Sequence, residues 1–205
     1  MTWTGTGSTC TEEDNGFSVI ADRPDSRFAM TFLFGDERMN VRKMVQSSLF
    51  ASLMAVCAWI SLPVPPVAVT LQTFAVLLAL GVQGGKWGTA SIVLYLAMGF
   101  VGLPVFAGFR GGIAALLDAT GGFLWGFLAG GLVYWLTEKL GNVPAMVLCQ
   151  LTCYLCGCLW FSVWAADAGL AAAAMTCVVP YLIPDALKLW LARSLSCRIG
   201  RGYTR

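Results

Sequence analysis

From Val41 onward the chain is a series of long apolar runs separated by short polar or Gly- and Pro-rich links. The first run is Met44–Leu62, followed by the link PVPPV, in which Pro63, Pro65 and Pro66 cannot continue a helix. The second, Val69–Val82, is short and is stopped by GVQGGK (Gly81–Lys86). The third, Trp87–Leu103, is closed by Pro104 and leads into the Gly-rich stretch VFAGFRGG (Val105–Gly112). The fourth is Thr120–Leu136, ended by TEKLG; the fifth is Val143–Ala165 and the sixth Ala171–Leu191. A spanning helix needs about 20 apolar residues, so the pattern predicts an all-α integral membrane protein with six transmembrane helices. The second run falls short of that length. Irregular backbone at membrane depth is tolerated only where protein or a wet cavity satisfies its amides. The link Pro63–Val69 and the loop Pro104–Ala119 are therefore predicted to line a cavity.

Composition agrees with that class. Of 205 residues, 58% are hydrophobic and 12% charged, half the charge of a soluble domain, at about 25%. A net charge of +2 without a basic stripe argues against nucleic-acid binding. Seven of the eleven acids fall within residues 1–40. That segment reads as a polar, disordered extension, distinct from a membrane domain over residues 41–205. It lacks the positive start and apolar core of a signal peptide, and is either a cytoplasmic tail or sequence upstream of a start at Met39 or Met44. Positive-inside counting places Arg42, Lys43, Lys86, Lys139, Arg193, Arg198, Arg201 and Arg205 on the inner side if six spans leave both termini cytoplasmic. Arg110 and Lys188 are the two cations that topology does not explain.

Those exceptions locate the candidate chemistry. Asp185 and Lys188, in IPDALKLWLA, lie three positions apart on one helix face inside an apolar run. Each charge costs about 2.5–3.5 kcal/mol at mid-membrane. The pair reads as the floor of a polar pocket; a buried structural ion pair, or Lys188 snorkelling to the inner surface, is the alternative. Pro184 is expected to loosen the helix beside them. VTLQT offers Thr70, Gln72 and Thr73 as ligand hydrogen-bonding groups, with a helix cap by Thr70 as the alternative. Arg110, on a Gly-rich loop, suits a carboxylate. Ala51 with Ala55, and Gly126 with Gly130, form small-xxx-small faces that allow close helix packing. Histidine is absent, and no Walker A, GxSxG, HExxH or GxGxxG motif occurs, so neither an enzyme nor an ATPase is argued. Four cysteines crowding the fifth run (Cys149, Cys153, Cys156, Cys158), with Cys57 and Cys177 elsewhere, read as small apolar side chains rather than a metal site.

PVPPVAVTLQTFAVLLAL (Pro63–Leu80), YLAMGFVGLPVFAG (Tyr95–Gly108), TGGFLWGFLAG (Thr120–Gly130) and IPDALKLWLA (Ile183–Ala192) occur in that order. Together they resemble BioY, the family of biotin-specific substrate-capture (S) components of energy-coupling factor (ECF) vitamin transporters, from about Met44 to the end of the sixth run. The resemblance implies a bacterial cytoplasmic-membrane protein that binds biotin from the outer side. It would deliver biotin through a transmembrane coupling subunit and two ABC ATPases, which use the ATP; the chain itself needs no cofactor. Asp185 and Lys188 match the family's D-x-x-K pair in the biotin pocket. Asp185 is expected to accept a ureido N–H, and Lys188 to donate to the ureido carbonyl or balance Asp185. Tyr95 and Phe106 are expected to enclose the ring system, and either Arg110 or the polar groups near Thr70–Thr73, Gln72 and Thr73 among them, to meet the tail. Ala51 and Ala55 fit the family's AxxxA docking face for the coupling subunit. The family usually reads Gly-Pro-Thr-Gly-Gly before the fourth span. Here Asp118 and Ala119 replace the Gly-Pro, and Asp118 either pairs with Arg110 or sits in water. A self-contained secondary transporter and a non-transport membrane protein are the other readings.

Overall fold

The computed structural model describes residues 41–62, 69–164, 175, 178 and 181–203. The first forty residues, the link prolines and Cys177 lie outside them. Helix α1 (Val41–Trp59) leads to two-residue strands, β1 (Ser61–Leu62) and β2 (Val69–Thr70). They pair antiparallel with Ser61 opposite Thr70, bringing the two ends of the proline-rich link together. Helix α2 (Gln72–Phe100) joins most of the second and third expected runs in one element, with Val69–Thr70 in β2 and Val101–Leu103 beyond its end. GVQGGK is thus a kink rather than a loop: Gly84 takes φ 79°, a conformation that glycine reaches without a Cβ clash. The break orphans the Gly85 amide, which donates to the Glu138 carboxylate at 2.7 Å. The arm before the kink spans about 18 Å at 1.5 Å per residue, short of the roughly 30 Å hydrocarbon core.

A 3-10 turn (Ala107–Phe109) and short helix α3 (Ile113–Leu117) follow, then α4 (Gly121–Thr137), a second 3-10 turn (Glu138–Leu140), α5 (Asn142–Trp164) and α6 (Leu182–Tyr203). Helix α4 seats on α5 through its glycines. A Cβ on Gly126 would lie 3.1 Å from the Cys153 backbone, and one on Gly130 2.9 Å from Cys149. These small-residue positions and cysteines are packing partners. Cys57, Cys149, Cys153, Cys156 and Cys158 are free thiols.

The sixth run differs from expectation. Helix α6 begins, among the described residues, at Leu182 and continues past Leu191 to Tyr203, with Asp185 in its first turn. Pro184 therefore sits where an N–H has no intrahelical partner and does not loosen the helix. The helix dipole also favours a carboxylate there. Of the described helices only α5 is long and apolar enough to cross a bilayer by length and composition. The arms of α2 are short, α4 has 17 residues, and α1 and α6 carry charges. Val147, Leu151, Leu155, Leu159 and Val163 nevertheless give α5 an outward apolar stripe at helical spacing.

One end of the bundle gathers the start of α1, the α2 kink and the end of α4. Gln83 Nε2 donates to the Gln46 carbonyl at 3.2 Å, Lys43 stands 5.7 Å from the Trp87 ring, and Glu138 meets Gly85. At the other end Trp59 donates to the Pro104 carbonyl at 2.9 Å and stacks on Phe109. The bases Lys43, Lys86 and Lys139 share the first end, and Arg110 the second.

Candidate functional site

A cavity of about 360 Å³ opens among α2, α4, α5, α6 and the loop before α4, within the ~300–1,000 Å³ common for small-molecule sites. Its floor is built on Asp185 and Lys188, 6% and 8% exposed. Lys188 Nζ lies 2.7 Å from Asp185 Oδ1. The hydroxyl of Thr73, at the start of α2, bridges the pair: Oγ1 accepts from Lys188 at 3.2 Å and donates to Asp185 Oδ1 at 3.5 Å. Helix α5 supplies two more donors, Gln150 Nε2 at 2.9 Å and the Tyr154 hydroxyl at 2.6 Å, both to Oδ2. A carboxylate has about four acceptor sites, so Asp185 is saturated. A ligand N–H reaches it only by displacing a present donor, of which Thr73 is the most distant. Lys188 uses two of its three N–H bonds and keeps one.

Gln72 is the complementary case. Its side chain lines the cavity, is 3% exposed, and its Nε2 has no hydrogen-bond partner. An orphaned buried donor costs about 1–3 kcal/mol, a cost that an acceptor on a bound ligand removes. Thr70 also lines the cavity. The cap position of α2 is Leu71 and no side chain caps it, so Thr70 is not spent as a cap.

The walls are aromatic: Phe106, Phe123, Phe127, Tyr154 and Tyr181. Tyr95 is not among the lining residues. Fully buried, it meets Phe106 edge-on at 5.6 Å and donates to the Val105 carbonyl at 3.1 Å, so it supports Phe106 from behind instead of enclosing a ligand. Gly99 completes that seat, because a Cβ there would lie 2.0 Å from Phe106 Cζ.

At the rim, Arg110 lines the cavity with its side chain half exposed and forms an ion pair with Asp118. Its Nη2 also donates to Thr120 Oγ1 at 3.3 Å. Asp118 Oδ1 accepts from the Ala119 amide at 2.8 Å, and the Asp118 carbonyl accepts from Trp160 Nε1 at 3.0 Å. The Ala119 amide and then the Arg110 guanidinium hold the Asp118 carboxyl below its ordinary pKa.

The structure thus brings Asp185, Lys188, Gln72, Thr73, Phe106 and Arg110 to one cavity and leaves Tyr95 a layer behind. It adds Gln150 and Tyr154, which sequence reasoning missed. An amide and a phenol four apart in the otherwise apolar fifth run were the available signal. Ala51 and Ala55, expected as a docking face, are 0% and 7% exposed and belong to the core, so burial argues against their serving as an external surface. The outward face of α1 presents Ser48 and Ser52, whose hydroxyls donate back to Met44 and Ser48 carbonyls at 3.1 and 3.0 Å.

Comparison with known proteins follows the same lines. A relative from Thermotoga maritima, "Biotin transporter BioY", is 45% identical over 45% of this chain and 55% of its own length. One from Pyrococcus horikoshii, "Probable biotin transporter BioY", is 38% identical over 73% of this chain and 91% of its own. The crystal structure of the S-component for biotin from an ECF-type ABC transporter superposes with a TM-score of 0.72 at 23% identity, covering 78% of this chain and 92% of that one. It shares the fold. The sequence profile of the BioY family matches residues 30–205. With more than half of its length matched, the chain belongs to the BioY family.

Proposed function

We propose that this chain is a biotin-binding membrane transport protein, the substrate-capture component of an ECF-type importer. The observation that carries the reading is the buried Asp185–Lys188 pair, cross-linked by Thr73, Gln150 and Tyr154, at the floor of an aromatic-walled cavity. Biotin has a ring urea with two N–H donors and one carbonyl, an apolar bicycle, and a tail ending in a carboxylate. The urea goes to the floor. Its carbonyl takes the spare N–H of Lys188 and the orphaned Gln72 amide, and one ureido N–H takes the place of Thr73 at Asp185. The bicycle lies between the aromatic walls, and the tail runs toward Arg110 and Thr120. A catalytic role is not part of the reading.

The gathering of Lys43, Lys86 and Lys139 at the end opposite the cavity supports six spans in a cytoplasmic membrane, with the basic end inside and the cavity open outward. A coupling subunit and ATPases would supply the energy. The outward small-residue face of α1, Ser48 and Ser52, supports docking of that subunit in lipid, because satisfied hydroxyls and short side chains permit close approach.

The test is equilibrium binding of labelled biotin to the purified, detergent-solubilised chain, with competition by ring-altered analogues. Saturable binding that a thiocarbonyl analogue of the urea competes poorly supports the assignment. Absence of binding by folded protein, or indifference to the urea, refutes it.

A further inference from the structure

The two polar poles of the cavity differ in kind. At the floor, the charged pair is buried and the ligand-facing donors of Gln72 and Lys188 remain available. At the rim, the lining cation is already engaged: Arg110 is held by Asp118 and by Thr120. Asp118 is not among the lining residues, whereas its partner Arg110 is. It is also fixed independently of Arg110, through the Ala119 amide at 2.8 Å and through Trp160 on its carbonyl at 3.0 Å, so it does not leave with an incoming ligand. An anionic tail arriving at the rim meets a guanidinium whose forked donors are partly used and which is already paired with a fixed negative charge.

We propose that Asp118 tunes ligand choice through Arg110: by neutralising the rim it removes the preference for an anionic tail, so that the cavity also accepts biotin-type ligands whose carboxylate is capped as an amide or ester. The proposal rests on the biotin reading for the ring end and makes a separate claim about the tail end. The ligand class it adds is the ureido bicycle on a neutral, amide-linked chain, as in conjugates of the vitamin with an amine. Asp118 is a positioning residue here, because it acts on the ligand only through the charge that it takes from Arg110.

The experiment compares free biotin with biotin primary amide by competition binding on the full chain, for wild type, Asp118→Asn, Asp118→Glu, Arg110→Gln and the Asp118→Asn/Arg110→Gln double variant. Asparagine keeps an oxygen acceptor for the Ala119 amide, so the loop retains its internal bond. Wild type is expected to bind the acid and the amide within about threefold of each other. Asp118→Asn tightens the acid by about twofold to fivefold, the scale of one partly exposed ion pair, and leaves the amide unchanged. Asp118→Glu returns the wild-type ratio, and Asp118→Asn gives no gain once Arg110 is glutamine. The proposal is overturned if the acid-to-amide ratio is the same in wild type and Asp118→Asn, or if both ligands weaken together, which is the mark of a purely structural role. A wild type that already prefers the acid a hundredfold overturns it too. If wild type binds neither ligand, the biotin reading fails, and this inference falls with it. If biotin binds and only the ratio misbehaves, the inference alone is lost.

Discussion

The floor of the cavity makes a quantitative prediction through a double-mutant cycle. Lys188→Met removes the only cation beside Asp185 among the described residues, and Asp185 keeps three neutral donors, Gln150, Tyr154 and Thr73. Removing one partner of a buried pair costs about 3–5 kcal/mol, and with those donors left the low end, about 3 kcal/mol, is expected. Asp185→Asn works from the other side. Its amide group is tolerated only toward Gln150 and Tyr154, which turn to accept from it, while its oxygen faces Lys188. That arrangement leaves a buried ammonium without a counter-charge, so the loss again approaches 3 kcal/mol or more. The double variant, Asp185→Asn/Lys188→Met, buries no net charge and keeps an amide that can bond all three neutral partners. It is expected to lose less stability than either single change, with a coupling of at least about 2 kcal/mol. The measurement is denaturant unfolding of detergent-solubilised protein for the four members of the cycle. In parallel, biotin affinity falls about tenfold or more in all three variants, because each removes a charge-assisted hydrogen bond to the urea, worth about 1.5–3 kcal/mol. Single-variant losses that add to within about 0.5 kcal/mol would show that the two charges do not act as a pair, and the argument for the floor fails.

Gln72→Met replaces the orphaned Nε2 with a side chain of similar length. Thermal unfolding of the ligand-free protein is expected to be unchanged or raised, while biotin affinity drops about tenfold, the scale of one lost hydrogen bond from a buried donor; loss of stability in the free protein contradicts the orphan. Gly99→Ala places a Cβ 2.0 Å from Phe106 Cζ. With Tyr95 closing the retreat, the ring is pushed toward the cavity at a cost of about 1–3 kcal/mol; affinity falls and is partly restored by adding Phe106→Leu, whereas an unaltered affinity in the single variant refutes the seat. On α1, Ser48→Trp/Ser52→Trp is expected to fold, bind biotin and fail to co-purify with a coupling subunit, while Ala51→Trp, in the core, fails to fold; co-purification of the serine variant removes the outward face as the docking surface.

How much of this was legible in the chain follows from what membrane burial does to pattern. The apolar runs announced the helices because a spanning segment is long and continuous, and the glycines of GVQGGK announced a break. That Glu138 caps the break was invisible, since the contact joins residues 53 apart in sequence. Asp185 and Lys188 stood out because charge in an apolar run is rare. Their partners did not, because Thr73 is 112 positions from Asp185 and Gln150 is 35. Ala51 and Ala55 were misplaced for a more general reason. In a soluble helix the polar face points out and fixes the rotation about the axis, whereas here both lipid and core are apolar. Small residues at positions 48, 51, 52 and 55 crowd one side of α1, within about 100° of one another, and sequence alone does not say which of them face a neighbour. The polar exceptions carry that phase instead. Gln72 and Thr73 on α2, Gln150 and Tyr154 on α5, and Asp185 and Lys188 on α6 each oppose the bilayer's preference, and all six meet in one cavity. Read together they would have fixed the inward faces of three helices, and with them the outward face of Val147, Leu151 and Leu155 on α5. In such a protein the isolated polar side chain is a stronger guide to tertiary structure than the apolar majority, because lipid gives it no alternative partner.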